Sequence, residues 1–440
     1  MGTLPPEIGQ LTNLTSINLR ANGLIGTIPS SFRSLTKLQH LALQYNQLTG
    51  GIPTWIGELT ALSTLVLSNN KLEGQMPSSL FTLSRLTVLA VDDNMLSGSL
   101  GQINLLTNLV SAYLEGNSFV DAVDDTFLIN LNQLVDLDLS ENLLVGTFPP
   151  HFFDPSKFPS LTVLDLHGNA LTGNIPDTIP ISAQLRLLAL HENELMGSIP
   201  NSITALQGLE HLDLTTNKFT GPMPDSLGSL SSLRYLFLAD NTFTPGPIPD
   251  TYQNLSLLQD FSVKQTQRTG PIPRWLSGLD QMILLDLDSN SFTGSIPVEL
   301  TNMLRLRLLL LNRNQLTGGL NPDTFGIFGR LRKYRCSDRC ISPTLFQDSN
   351  CSCVASGMFL LEENSITGSL DFICDETDDI LMASDCGGIE PETTCECCDF
   401  CCEDGVACHG RDYIAQIDPI WEAEYERSYY AFAHANITRR

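Results

Sequence analysis

Cysteine is absent from the first 335 of the 440 residues, and all twelve cysteines lie at or beyond Cys336. Any disulfide chemistry is therefore confined to the C-terminal end. Positive charge is also scarce. The chain has 24 Lys and Arg against 49 Asp and Glu, a net charge of −25. Residues 336–440 hold five Lys and Arg against 21 Asp and Glu, so most of the excess sits there. That balance argues against nucleic acid and against anionic membrane surfaces as general partners. No apolar run approaches the ~18 residues that a membrane span needs. A membrane is thus a partner only through a segment outside this chain. The opening MGTLPPEIGQ reads as the tail of a repeat rather than as a signal peptide, so the chain is expected to be the C-terminal part of a longer protein.

What the chain has in abundance is a repeat. LTNLTSINLRANGLIG (11–26), LTKLQHLALQYNQLTG (35–50) and LTALSTLVLSNNKLEG (59–74) share LxxLxLxxNxLxG. Leu at fixed offsets with one Asn, at steps of 23 to 25 residues and one of 27, marks a leucine-rich-repeat solenoid. The ladder Asn runs through Asn22, Asn46, Asn70, Asn94, Asn117, Asn142, Asn169, Asn193, Asn217, Asn241, Asn290, Asn314 and Asn364, with Thr266 and Arg339 in its place in two repeats. Fifteen rungs are expected in all, with local irregularity at Thr266 and Arg339 and with the Arg339 side chain excluded from the interior of the stack. Apolar residues three and five before the Asn alternate with polar ones, the period of a strand buried on one face. The Asn amide offers donor and acceptor to turns that cannot reach water. The following Gly permits a tight turn, and Ile-Pro leads the chain out along the far side. A single repeat cannot bury its apolar face alone, so each Leu is assigned to the stacked core rather than to a site.

The fold class expected is an α/β solenoid: a parallel inner sheet with a mostly irregular or 3-10 convex side over residues 1–372. A cysteine-rich cap over 373–410 and an acidic, aromatic tail over 411–440 follow. Segments such as LMGSIP (195–200) and FTGSIP (292–297) resemble the plant-specific leucine-rich-repeat class of receptor-like kinase ectodomains, receptor-like proteins and polygalacturonase-inhibiting proteins. The resemblance implies a right-handed superhelical arc. It departs from the kinases in that nothing after the repeats resembles a Gly-rich loop, HRD or DFG. The run from Ser384 to Cys408 resembles instead the cysteine-rich tail of leucine-rich-repeat proteins of diatoms and related algae.

Cys336, Cys340, Cys351, Cys353, Cys374, Cys386, Cys395, Cys397, Cys398, Cys401, Cys402 and Cys408 are read as disulfide candidates closing the open end of the solenoid. Their even number, their clustering and the acidic background suit an oxidising compartment. The competing reading is a zinc site at CxC and CxxC spacing. Asn13, Asn254, Asn350 and Asn436 head glycosylation sequons and fit secretion or a cell-surface location.

Side chains two, four and six residues before each ladder Asn point out of the inner sheet. Fifteen strands ~4.8 Å apart give a face of roughly 1,000 Å², enough for a protein partner. Along it an acidic stretch (Asp92, Asp93, Glu115, Asp136, Asp138, Glu141) precedes His167, His191 and His211 with Asp165 and Asp213. Tyr235 and Phe237 come next, then Lys264, Arg307, Arg313, Arg332, Lys333 and Arg335. The plain reading of each charge is a solvated face. The histidines and aromatics are the expected ligand-binding surface, because exposed Tyr and Phe beside polar groups favour interfaces and His titrates near neutrality. Binding there is expected to change between about pH 5.5 and 7.5. No metal site and no cofactor is expected. Carboxylates on an open sheet lack the enclosing cleft of an enzyme. The function expected is an extracellular recognition module binding a protein, peptide or glycan, with a secreted inhibitor of a wall-degrading glycosidase or an adhesion protein as alternatives. The 27-residue step holding FPPHFFDPSKFPS (148–160) is expected to pack on the outer side.

Overall fold

The computed structural model describes residues 2–181 and 184–319, and beyond them 357–360, 364–369, 380–384, 393–394 and 400–401. The chain divides into two compact units, Met1–Phe219 and Thr220–Arg440. Both are leucine-rich-repeat solenoid, and the described residues contain no α-helix, so the helical half of the expected class is supplied wholly by 3-10 turns.

In the first unit a main sheet stacks short parallel strands in sequence order. They are Ser16–Asn18, His40–Ala42, Thr64–Val66, Val88–Ala90, Ser111–Tyr113, Asp136–Asp138, Val163–Asp165, Leu187–Ala189 and His211–Asp213. The register is uniform: Ile17 pairs with Leu41, Leu41 with Leu65 and Leu65 with Leu89. A second parallel sheet collects the segment after each ladder Asn, from Gly2–Thr3 through Leu24–Gly26, Gln47–Gly50, Lys71–Gln75 and Met95–Gly98 to Ser118–Phe119. The far side carries single 3-10 turns such as Ser30–Ser34 and Thr54–Glu58. Each of these two follows a proline whose ring fixes φ near −65° to −72°, and each closes on a buried Leu whose N–H returns to a carbonyl three residues back.

One repeat shows why the stack holds. Leu41, Leu43, Leu48, Ile52, Ile56, Leu59 and Leu62 are all buried, each contributing roughly 1.5–3 kcal/mol by leaving water. The turn glycine is required where the next strand comes closest: Gly146 has φ +109°, and a Cβ there would lie 2.4 Å from the Val123 carbonyl oxygen.

Asn46 illustrates the ladder. Its Nδ2 donates to the Leu43 and Leu19 carbonyls at 2.8 and 3.0 Å, and its Oδ1 accepts from the Leu24 and Asn22 amides at 2.9 and 3.0 Å. Asn70, Asn94, Asn117, Asn142, Asn169, Asn193 and Asn217 make the same two-way bridge, and Asn290 and Asn314 make it in the second unit. Asn22 bonds the Arg20 carbonyl, and Asn241 the Leu238 and Ala239 carbonyls.

The second unit's main sheet runs Tyr235–Phe237, Asp260–Ser262, Leu284–Asp286, Leu308–Leu310, Gly357–Leu360, Ile380–Ser384 and Phe400–Cys401. Leu308–Leu310 pairs directly with Gly357–Leu360, and the Leu316 amide donates to Asn364 Oδ1 at 3.0 Å across 48 residues of sequence. The repeat read around Arg339 lies outside the described residues.

At the other irregular rung, Thr266 Oγ1 donates to Val263 O, and Arg268 replaces the Leu found two residues after most ladder Asn residues. Arg268 is 1% exposed. Its guanidinium donates to the Thr266 carbonyl at 2.9 and 3.0 Å and to the Thr244 carbonyl at 2.6 Å. The FPPHFF loop is packed rather than displayed: Phe148, Phe152, Phe153 and Phe158 are buried around His151, whose Nε2 lies 2.8 Å from the Phe127 carbonyl oxygen.

Candidate functional site

The open face of the first unit's main sheet gathers its titratable groups on adjacent strands. Asp165 ends Val163–Asp165, and its Oδ1 accepts from the His167 amide at 3.0 Å and from His167 Nδ1 at 2.7 Å. His167 Nε2 stands 3.8 Å from Glu141 Oε1. One repeat on, His191 stacks on His167 with ring centroids 4.1 Å apart and planes at 10°. His191 Nδ1 lies 3.4 Å from Asp213 Oδ2, and Asp213 Oδ1 accepts from the Thr215 amide. Five of the anticipated residues therefore fall into one neighbourhood, because equal spacing from the ladder Asn puts His167 and His191 in one column. His211 shares a face with Asp213, two residues along the same strand, but is fully buried rather than at the surface.

The electrostatics differ from a set of ordinary histidines. Burial works against a charge on His167, but the Asp165 carboxylate and its hydrogen bond outweigh burial and raise the His167 pKa far above normal. Burial opposes the Asp165 charge too, and His167 again outweighs it and lowers that pKa. The two form a lasting ion pair. Burial lowers His191, and it brings His211 down to about 4 against the pull of Asp213. His167 and His211 are thus moved in opposite directions, and the neighbouring carboxylates are moved as well. Burial, then the Asp165 charge, pushes Asp138 up to about 7, and burial lifts Asp92 to about 6. Glu115 is raised well above normal by burial and by Asp138. Asp138 accepts from the Ser140 amide and hydroxyl at 3.0 and 2.6 Å, Asp136 from the Ser111 and Tyr113 hydroxyls at 3.3 Å, and Asp92 from Ser68.

In the second unit Tyr235 is half-buried, with its hydroxyl 3.3 Å from Gln259 Oε1, while Phe237 is only 1% exposed. The expectation of two exposed aromatics is corrected for Phe237. Strands ~4.8 Å apart leave little space between side chains on one face, and a ring in the middle position packs on its neighbours, among them its register partner Ser262. Of the basic run, Arg313 donates to both carboxylate oxygens of buried Asp288, so it is an ion-paired side chain. Asp286 escaped the sequence reading: it is buried, accepts from Ser262 Oγ at 2.9 Å, and is pushed up to about 7 by burial and then by Asp288. Its register in the strand column was the signal available.

Asn13 and Asn254 are exposed, as a glycosylated Asn must be; Asn350 and Asn436 lie outside the described residues. So do all the cysteines except Cys401, which ends the strand Phe400–Cys401. The cysteine pairing and the likeness to the diatom tail concern residues outside the description. Among the described residues no cluster of His, Cys, Asp and Glu has the arrangement of a metal site, and no helix is long and apolar enough to cross a membrane.

Residues 147–305 match a family model described as a leucine-rich repeat region, and residues 12–72 match a second leucine-rich-repeat model. The chain is a leucine-rich-repeat protein. Neither model is a catalytic family. The comparison with curated proteins gives no match. Among solved structures, this leucine-rich-repeat chain is similar to the plant peptide hormone receptor RGFR1 in complex with RGF2, at 27% identity and TM-score 0.68, over 87% of this chain and 61% of that one. It is similar to the LRR ectodomain of the Arabidopsis thaliana membrane receptor kinase GASSHO1/SCHENGEN3 in complex with Casparian strip integrity factor 2, at 27% identity and TM-score 0.65, over 90% and 46%. It is also similar to the Arabidopsis receptor kinase HAESA in complex with the peptide hormone IDA and the co-receptor SERK1, at 25% identity and TM-score 0.65, over 87% and 64%. The chain thus spans less than two thirds of the length of each.

Proposed function

We propose that this chain is the recognition module of a receptor-like, extracellular leucine-rich-repeat protein, and that it takes a peptide along the open face of the first unit's main sheet. The observation that carries the reading is the Glu141–His167–Asp165 network with its stacked neighbour His191 and Asp213. It presents a fixed cation between carboxylates on adjacent strands. Such a pattern can orient the charged and amide groups of an extended chain at low reorganisation cost. The similar structures at 25–27% identity are plant receptors that bind peptide hormones, which supports the ligand class. In the second unit the half-buried Tyr235 is a further candidate contact. Secretion or cell-surface display follows from the same likeness and from the exposed Asn13 and Asn254 sequons.

The test is a screen of a synthetic peptide library against the purified chain, followed by titration calorimetry on retained peptides with His167→Ala and Glu141→Ala. Affinity should fall roughly tenfold or more in each while the melting temperature of Glu141→Ala, an exposed side chain, stays unchanged. A library from which nothing is retained, or retained peptides indifferent to both changes, would overturn the reading.

A further inference from the structure

A second site lies in the first unit, away from the histidines. At the end of the main-sheet strands a cavity of about 410 Å³ opens between four successive repeats, lined by Gly23, Tyr45, Gln47, Asn69 and Asp93 together with the ladder residues Asn46 and Asn70. Tyr45 stands out among these. It is 48% exposed, and its backbone sits at φ +58°, a region that a bulky side chain enters at a cost. The residue before the ladder Asn is left-handed in repeat after repeat, at Ala21, Asn69, Asp93, Gly116, Glu141 and onward, and among the described rungs only Tyr45 puts an aromatic ring there. An exposed ring held at a strained position is the pattern of a residue kept for contact rather than for folding.

The surroundings narrow what it contacts. The Arg20 guanidinium lies over one side of the Tyr45 ring, 4.9 Å from its centroid, and Arg20 is not part of the cavity lining. That cation disfavours a positively charged ligand on the same ring. The Asp93 carboxylate, which accepts from Asn69 Nδ2 at 2.9 Å, disfavours an anion. The Asn46 and Asn70 amides are committed to the ladder. What remains is an aromatic surface, the amides of Gln47 and Asn69, and a carboxylate oxygen. At the Gly23 end the space is open, since a Cβ there would meet nothing within 4 Å. Amides and a carboxylate pair with groups that donate and accept at once, and an aromatic ring packs against C–H surface. A pyranose ring offers both, with hydroxyls around its edge and C–H groups on its faces.

We propose that Tyr45, Gln47, Asn69 and Asp93 form a binding site for a neutral sugar residue of a glycan, independent of the peptide-binding reading of the histidine face. The site stacks the sugar on Tyr45 and bonds its hydroxyls through the two amides and the carboxylate.

The experiment uses the full chain with cellohexaose, laminarihexaose and xylohexaose as probes, read by saturation-transfer NMR and calorimetry, alongside tri-arginine and a trigalacturonate as charged controls. Three variants are compared: Tyr45→Asn, which suits a left-handed backbone and so keeps the fold; Tyr45→Trp, which restores an aromatic surface; and Asp93→Asn. At least one neutral oligosaccharide should bind. Tyr45→Asn should weaken it by roughly tenfold or more with an unchanged melting temperature, and Tyr45→Trp should keep it. The proposal is overturned if no neutral oligosaccharide binds at millimolar concentration. It is overturned equally if binding survives Tyr45→Asn unchanged, or if a charged control binds in a Tyr45-dependent way and the neutral sugars do not. Because the peptide reading is tested at His167 and Glu141, failure of either leaves the other standing.

Discussion

At the scale of single residues, buried polar groups decide the most. Asn193 is 9% exposed and closes four bonds, accepting from the Leu171 amide at 2.9 Å and donating to the Leu166, Leu190 and His191 carbonyls. Asn193→Ala leaves those backbone groups without partners and should cost about 1–3 kcal/mol in urea unfolding, whereas a ladder of decorative amides would leave the midpoint unmoved. Asp286 makes a prediction with a sign. Its folded-state pKa of about 7 lies above the ordinary carboxylate value, so the stability it contributes is whole below the unfolded pKa and is lost as pH rises through 7. Asp138 behaves alike. His211, lowered to about 4, contributes stability above the ordinary His value that is lost as pH falls through 4, so above about pH 6.5 the carboxylates act without that opposition. Asp286→Asn should therefore raise the melting temperature at about pH 8 and change it least near pH 3, where the group is protonated in the folded and the unfolded chain alike. Equal shifts at both pH values would show that Asp286 does not carry this proton.

At the scale of the element, two features shape each rung. The left-handed residue before the ladder Asn recurs down the stack, and at Thr216, with φ +49° and an exposed side chain, it is β-branched. Asn tolerates that backbone and stands there already at Asn69. Thr216→Asn should stabilise by about 0.5–1 kcal/mol, measured as an upward shift of the denaturation midpoint, while Thr216→Ile should give no gain. The irregular rung offers a coupled test. Arg268 covers the Thr244 and Thr266 carbonyls where an Asn and a Leu would ordinarily stand. Arg268→Leu alone should cost about 1–3 kcal/mol, because it strips hydrogen bonds from the buried Thr266 carbonyl and the part-buried Thr244 carbonyl. Thr266→Asn combined with Arg268→Leu restores the common pair and should recover most of that loss, a coupling of at least about 1 kcal/mol. Additive effects would mean that the two residues do not substitute for the missing amide together.

At the scale of the whole chain, charge dominates. A net charge of −25 makes the folded chain repel itself. The melting temperature should rise as sodium chloride increases from about 0.01 M to 0.15 M, over which the screening length falls from roughly 30 to 8 Å. A flat profile would mean that local pairs such as Arg313–Asp288 already neutralise the effect.

The sequence by itself determined the repeat, its strand, its ladder and its turn, because each depends on residues within about 24 positions and recurs often enough to be read against its own copies. It also placed His167 and His191 in one column, since equal distance from the ladder Asn is equal height on the sheet. Tertiary structure alone decided three other things. The pairing of Leu308–Leu310 with Gly357–Leu360, and of the Leu316 amide with Asn364, is a choice of partner about 48 residues away, to which local pattern is blind. The depth of Phe237 and His211 depends on neighbouring strands, so the columns were legible but their burial was not. Arg268 in the core and Tyr45 at a left-handed rung both break the repeat's own rule. Their roles, one closing a turn and the other lining a cavity, come from atoms that the fold brings together from three or four repeats.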